Sequence, residues 1–295
     1  MTVHYSSAMK FHYISHPRRN PAITASLQKA CLSRSIEFIQ VNPFHFDFTD
    51  FSQIPAPGDA IYRSLATTAH NGLSRTVERW LIHRQVATLY SSYERALSQW
   101  PQSYVIHAKH SLPQPITIWN VPRDRQLIDR YVEFVHGYPV IIKVTGGSHG
   151  VGVIKVDSPA SLYSLIDYLH GTCTQTIMRQ FITARHSARL IVLADQVIAA
   201  IEYSTPAHDF RTNIGHNPIV KAKQFSADIN KLAVQAVATM GNLFGGVDIL
   251  IDAKGQPYIT EMNFPCNFAR AAAATNIDIA SLLVNFLQDE AKTHV

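Results

Sequence analysis

The chain has 295 residues, 46% hydrophobic and 16% charged, which excludes a disordered chain and leaves apolar material for one large core or two to three smaller ones. Its formal charge of +5 and 15 histidines suit anionic partners, but Lys and Arg are scattered rather than packed into a basic run, so no nucleic-acid interface is expected. Cys31, Cys173 and Cys266 are odd in number and widely spaced, as free thiols of a cytoplasmic protein would be, and neither a signal-peptide core nor an apolar run of roughly 20 residues marks a membrane partner.

In chain order, a strand pattern from Lys10 to Ile14 leads through a Pro-rich turn into an amphipathic helix within "SHPRRNPAITASLQKACLSRS". The strands "IEFIQV" and "DAIYRS" follow, so residues 1–104 read as a small α/β unit, with a break at Asn71 and Gly72 and helical periodicity over most of 71–100. Next come a strand in "SLPQPITIW", a helix near Pro122 to Val135, and the strands "YPVIIKV" and "GVIKV", which pair as a hairpin. A helix over Ser158 to His170 precedes the strand "TIMRQFI"; "ARLIVLADQVIAAIEY" is a hairpin turning at Ala194 and Asp195. Ser226 caps a helix over 226–243, and "GGVDILIDAKGQPYITEMN" is a further hairpin. The segment "HAKH", His107 to His110, is read as leading into a strand, where i and i+3 fall on opposite faces and a zinc pair is not expected.

The last hairpin carries the sharpest chemical signal. If Ala253 to Gln256 form its loop, Asp252 lies opposite Pro257 and Asp248 opposite Glu261, while Glu261 and Asn263 share a face two residues apart. Two facing carboxylates repel unless something cationic lies between them, and oxygen-only ligands select Mg²⁺ or Mn²⁺ over zinc. A solvated edge strand is the plain alternative. In "KVTGGSHGVGV" the glycines Gly146, Gly147, Gly150 and Gly152 let backbone N–H groups approach phosphates, although no Gly-Lys-Ser/Thr follows and a tight turn would need the same residues. Lys143, inside an apolar strand just before that loop, requires an anionic partner. In "HDFRTN", Arg211 could serve as a charge clamp and Asn213 as a hydrogen-bonding group for a transferring phosphoryl group, with Arg189 able to point at the same space; an exposed loop arginine is the plain alternative.

Taken in order, "YPVIIKVTGGSHGVGV", "TIMRQFI", "ARLIVLADQVIAAIEY", "DFRTNIG", "GGVDILID", "ITEMN" and "TNIDIA" resemble the ATP-grasp superfamily, specifically its RimK-like branch of glutamate and amino-acid ligases, over roughly residues 105–290. The resemblance implies an α/β and α+β fold: an N-terminal α/β domain (1–104), a central subdomain with the Gly-rich lid (105–183) and a C-terminal subdomain with the metal site (184–295), the last two clasping ATP. By matching positions it implies Lys143 on the phosphates, Gly146, Gly147, Ser148 and Gly150 in the lid, and Met178, Gln180, Phe181 and Ile182 around the adenine. Arg189, Arg211 and Asn213 would stabilise the transferring group, and Asp248, Glu261 and Asn263 would hold Mg²⁺ (or Mn²⁺). The implied activity is an ATP-dependent, ADP-forming C–N ligase that joins a carboxylate substrate to an amine substrate, small molecule or peptide, through an acyl phosphate. A small-molecule kinase and a non-catalytic nucleotide-binding protein are the alternatives, and relatives commonly assemble as homo-oligomers.

Several positions depart from the branch. Arg179-Gln180-Phe181 stands where relatives often have Gln-Glu-Tyr, and Ser187 where they have an acidic residue. Lys109 is the nearest candidate for an upstream phosphate-contacting lysine. "FPCNFAR" replaces a small Gly-containing loop, so the relatives' glutamate is not carried over; Phe264, Phe268 and Arg270 suggest a partly apolar pocket with one anion-binding group, and a core role for both aromatics is the equal alternative. Cys266 reads as a small buried thiol rather than a nucleophile.

Overall fold

The alternation of strand and helix at the N-terminus produces a parallel sheet. In this structure, a computed structural model that describes residues 9–64, 68–83, 85–98, 103–144, 150–172, 174–204, 209–211 and 218–293, β1 (Lys10–Ile14) lies between β2 (Glu37–Val41) and β3 (Ala60–Arg63), parallel to both. The crossover is α1 (Pro21–Leu32), whose opening Pro21 lacks the N–H that a helix start leaves unpaired, and which buries Ile23, Leu27, Ala30 and Cys31.

The helix expected over 71–100 is two pieces. α2 (Thr68–Leu81) begins before Asn71 and Gly72, and α3 (Tyr93–Ser98) follows a non-helical stretch. Val86, Ala87 and Leu89 are buried there, and Ala87 pairs in parallel with Ala60, its N–H on the Asp59 carbonyl at 2.9 Å and its own carbonyl accepting from Ile61 at 3.0 Å. Buried strand groups must find partners, and this stretch supplies them to the open edge of β3; that demand overrides the helical spacing of its apolar residues. "HAKH" is likewise helical, in α4 (Ser103–Lys109), and the buried His107 ring meets the Ala236 carbonyl at 3.1 Å.

A second sheet is antiparallel throughout, in the order β4 (Thr117–Trp119), β7 (Thr176–Gln180), β5 (Val140–Val144), β6 (Val153–Val156). Asp124 caps α5 (Arg125–Phe134), accepting from the Leu127 N–H at 3.0 Å, and Ser158 caps α6 (Pro159–Gly171). Val140, Ile142 and Met178 point to these helices and pack on Ile128, Leu162 and Ile166. The period of two leaves Lys155, Ile141 and Arg179 as one row on the opposite face, with Lys143 in the next.

The third sheet runs β10 (Val220–Ala222), β9 (Gln196–Tyr203), β8 (Ala184–Leu193), β11 (Phe244–Asp252), β12 (Pro257–Asn263), all antiparallel. Ala188, Leu190, Val192, Val247 and Ile249 meet α7 (Ala227–Thr239), which Ser226 caps as expected. The other face of the sheet places Ile191, Leu193, Ile201 and Phe244 in one core with Phe11, Tyr13 and Tyr62 of the N-terminal sheet. α8 (Ala269–Thr275) and α9 (Ile279–Thr293), two helices absent from the sequence expectations along with β10, complete that core. Among the described residues no helix is long and apolar enough to cross a membrane.

Two features of this packing are testable. Gly241 (φ +75°) accepts from the N–H groups of Ser91 and Ser92, and a Cβ there would lie 2.8 Å from the Ser92 carbonyl oxygen, whereas one at Gly255 (φ +84°) meets nothing within 4 Å. Gly241→Ala is therefore expected to lower stability by more than the roughly 1–2 kcal/mol of backbone strain that Gly255→Ala incurs, measured by urea unfolding. Burial pushes the Cys266 thiol up to about 12, with nearby Arg189 only partly offsetting it. The thiol thus stays protonated at pH 8, and peptide mapping after iodoacetamide treatment of the native protein should find Cys266 unmodified, with labelling appearing only after unfolding.

Candidate active site

The pairing of β11 with β12 contains an irregularity that the sequence does not announce. At the loop end Ile251, not Asp252, lies opposite Pro257, while Asp248 still lies opposite Glu261; the register shifts between Asp248 and Ile249, which faces Ile259. Thr260 is the extra residue, a β-bulge next to Glu261. The expected Asp248–Glu261 pairing thus holds by a different register from the one assumed at the turn.

Ile201, Arg189, Asp248 and Glu261 are successive cross-strand partners, so the three charged side chains lie in one row. Arg189 grips Asp248 with two bonds, Nε to Oδ1 at 2.8 Å and an NH2 to Oδ2 at 2.6 Å. Burial alone would drive the Arg189 pKa down, but the Asp248 charge beside it more than reverses this and holds the guanidinium above its usual value. The cation that the facing carboxylates call for is therefore partly supplied by the protein itself, so their proximity alone does not demand a metal. Asp248 nonetheless keeps lone pairs beyond the two that Arg189 uses, and Glu261 and Asn263, both half-buried, make no side-chain hydrogen bond or ion pair among the described residues. Two carboxylates and an amide oxygen fit a hard cation, although no group of three or more His, Cys, Asp or Glu able to hold a metal ion exists among the described residues.

In the row beyond, Asn263 pairs with Gly246, where a Cβ would lie 3.1 Å from that of Cys266. The "FPCNF" loop is thus folded back onto the sheet. Phe268 is 1% exposed and belongs to the core, which decides between the two places open to it: the loop returns to the sheet before α8 and carries the ring inward. Phe264 packs against Tyr90 and Tyr62, with centroids 4.9 and 6.3 Å away, and Arg270 is within hydrogen-bonding reach of Tyr203.

The cationic face of the second sheet reaches β12 through Arg179. Lys143 donates to the Tyr104 hydroxyl at 3.3 Å, and Lys155 lies 4.7 Å from the Phe181 ring centroid. Arg179 stacks at 4.4 Å over Tyr104 and donates to the Thr260 carbonyl at 3.0 Å, crossing to the strand that carries Glu261. From a third side, Arg211 binds the Gly150 carbonyl at 3.1 Å, and Phe210 meets Phe181 edge-on. Arg211 is also paired with Asp209, at 3.0 and 2.8 Å, so its charge is already shared.

Of the expected site residues, cross-strand pairing brings Arg189, Asp248 and Glu261 together, with Asn263 in the next row; Lys143 stands on the sheet face from which Arg179 reaches Thr260, Arg211 meets Gly150, and Phe181 meets Phe210, while Gly146, Gly147, Ser148 and Asn213 lie outside the described residues. The Met178 side chain is fully buried on the helix side of the second sheet. Gln180 is tied to the segment before β4: its N–H donates to the Ile116 carbonyl at 2.9 Å, and its side-chain oxygen accepts from the Ile116 N–H. Ile182 is half-buried just past the strand end, and Lys109 is exposed at the end of α4. Sequence reasoning missed the inward reach of Arg179 and a buried network in which Glu78 accepts from Arg63 and from the Tyr90 hydroxyl, each at 2.8 Å. The available signal was an arginine ending the otherwise apolar strand "AIYR", at the carboxyl end of a parallel sheet.

Residues 99–287 match the family model described as the RimK-like ATP-grasp domain. Curated relatives include a "Probable alpha-L-glutamate ligase" of Sodalis glossinidius (strain morsitans), 31% identical over 159 residues that cover 53% of each chain. A "Ribosomal protein bS6--L-glutamate ligase" of Escherichia coli is 27% identical over 195 residues, 65% of this chain and 64% of the relative. The chain therefore spans between 53% and 64% of the length of these curated relatives. Among solved structures, the ATP-grasp ligase PsnB complexed with a phosphomimetic variant of its minimal precursor, Mg and ADP superposes with a TM-score of 0.75 at 19% identity, covering 95% of this chain and 98% of that one. The D-alanine--D-alanine ligase of Bacillus anthracis gives 0.68 at 14% identity, covering 97% and 98%. With its family model matched over 99–287 and its fold shared end to end with ATP-grasp ligases, this chain belongs to the RimK-like ATP-grasp family.

Proposed function

We propose that the protein is an ATP-dependent, ADP-forming ligase that joins a carboxylate to an amine through an acyl phosphate. The observation that carries this reading is the half-buried Glu261, without a side-chain partner among the described residues, in one row with the Arg189–Asp248 pair and next to Thr260, whose carbonyl Arg179 of the second sheet reaches. A carboxylate left uncompensated in such a place is suited to a cation that arrives with a polyphosphate.

In this reading Asp248, Glu261 and Asn263 would hold Mg²⁺ (or Mn²⁺), which would neutralise phosphate charge during phosphoryl transfer. Arg189 fixes the direction of Asp248 and lowers the net negative charge of the row. Lys143, with Gly146, Gly147, Ser148 and Gly150 of the lid, meets the phosphates. Phe181 forms an apolar wall for the base, whose edge is left to backbone groups at Met178, Gln180 and Ile182. Arg211, with Asn213, joins Arg189 as the cationic boundary of the transferring group; its bond to the Gly150 carbonyl ties that boundary to the lid. Positioning and charge neutralisation suffice for this chemistry, which needs no protein nucleophile. The division into 1–104, 105–183 and 184–295 belongs to the same reading, as does a cytoplasmic setting.

The acid and the amine follow by class only. The relatives' names speak of glutamate and of a ribosomal protein, and we carry over an amino acid or peptide as the substrate class. The packed "FPCNF" loop, with Cys266 and Phe268 in the core, supports leaving glutamate itself aside.

Incubation of the protein with MgATP and pooled amino acids, peptides and acidic metabolites is expected to give, by mass spectrometry, ADP and a product equal to two substrates minus water. Glu261→Ala should reduce that product at least ~100-fold. A phosphorylated product that persists in the presence of amines would instead indicate a kinase. Arg189→Met leaves Asp248 buried without its counter-charge, and an unfolding titration should show a loss of roughly 3–5 kcal/mol.

A further inference from the structure

Arg179 is an unusual residue for its place. It follows the fully buried Met178 within its strand, is 3% exposed, and makes no ion pair with a carboxylate among the described residues. Its contacts are neutral oxygens, Thr117 Oγ1 at 3.1 Å and the Thr260 carbonyl at 3.0 Å, together with the face of Tyr104; one NH2 nitrogen is buried with no partner. A buried guanidinium held this way contributes less to stability than an apolar side chain filling the same space would, so its presence calls for a role other than packing.

That role lies at the bulge. Thr260 is the extra residue of β12, and a bulge releases the backbone of such a residue from the ladder while re-aiming its neighbour. Here the Thr260 side chain donates back to the Asp248 carbonyl at 3.1 Å, and the Thr260 carbonyl is taken by Arg179 from the other sheet. Thr260 is thus held on both sides, and Glu261 is the next residue. We infer that Arg179 is a positioning residue: by holding the Thr260 bulge it aims the Glu261 carboxylate at the cation site and couples β7 to the strand that carries that site. The inference rests on the metal site proposed above.

The test reads metal binding rather than turnover. Free Mn²⁺ is followed by electron paramagnetic resonance in the presence of a non-hydrolysable ATP analogue, for the wild type, Arg179→Met, Arg179→Lys and Glu261→Ala. Arg179→Met is expected to weaken Mn²⁺ binding about 10- to 100-fold, as loss of a group that orients a ligand does. Affinity for the analogue without metal should stay within about twofold, and Arg179→Lys, which keeps a donor for the Thr260 carbonyl, should recover most of the loss. Should Arg179→Met fail to fold, Arg179→Gln is expected to show the same weakening. Wild-type Mn²⁺ affinity in these variants, with binding lost in Glu261→Ala, would overturn the role of Arg179 and leave the metal site standing. A parallel fall in Mn²⁺ affinity, analogue affinity and melting temperature would overturn it in favour of a purely structural arginine. Wild-type binding that is indifferent to Glu261→Ala would overturn the metal site and this inference together.

Discussion

The bidentate pair between Arg189 and Asp248 is the interaction on which the rest of the site depends. It sits across β8 and β11, inside a five-stranded sheet rather than at its rim, and both side chains are largely removed from water. Such a pair is tolerated only where its geometry is good, and here both carboxylate oxygens are met at hydrogen-bonding distance. It also marks a boundary on one face of the sheet. Beyond it, Ile191, Leu193 and Phe244 run into the apolar core shared with the N-terminal sheet; beside it, Glu261 and Asn263 end β12 half-buried. Had Asp248 been left unpaired it would repel Glu261 across the ladder; held by Arg189, it stands as a fixed neighbour with acceptor capacity to spare.

The opposite wall follows from elementary strand periodicity. The second sheet buries Val140, Ile142 and Met178 on its helices, and the same alternation must turn Lys143, Lys155 and Arg179 the other way. Those cations are kept in place by aromatic rings, Tyr104 and Phe181, rather than by carboxylates. Their charge therefore remains available to an anion, which it would not if each were matched to an acid. Arg211, between β9 and β10, differs in being matched to Asp209, with a further bond to the Gly150 carbonyl.

Much of this was legible before any coordinates. The apolar run of "YPVIIKV", bounded by Pro139 and glycines, and the paired apolar runs around Ala194 gave strands that the structure has, although β8 begins four residues earlier than expected, and the acid and amide endings of β12 stood out against apolar surroundings. What was not legible depended on partners distant in sequence. Residues 86–89 carry helical spacing, yet the unpaired edge of β3 claims their backbone. The Thr260 bulge leaves no compositional trace, and the Asp248–Glu261 pairing was reached from the loop by a register that the bulge had already shifted. Arg179 looked like a departure from an adenine-binding strand; only the approach of β12 reveals what its guanidinium touches. Phe268 looked equally suited to a pocket or to the core, and the path of the loop after Pro265 decided for the core.

The central claim, that the edge of the third sheet is a cation site shared with a nucleotide, is tested most directly by anomalous diffraction from crystals grown with Mn²⁺ and a non-hydrolysable ATP analogue. The expected result is an anomalous peak about 2.0–2.2 Å from oxygens of Asp248, Glu261 and Asn263, with the analogue's phosphates completing the shell. A fully bound analogue whose metal lies elsewhere, with Glu261 making no contact to it, would contradict the claim.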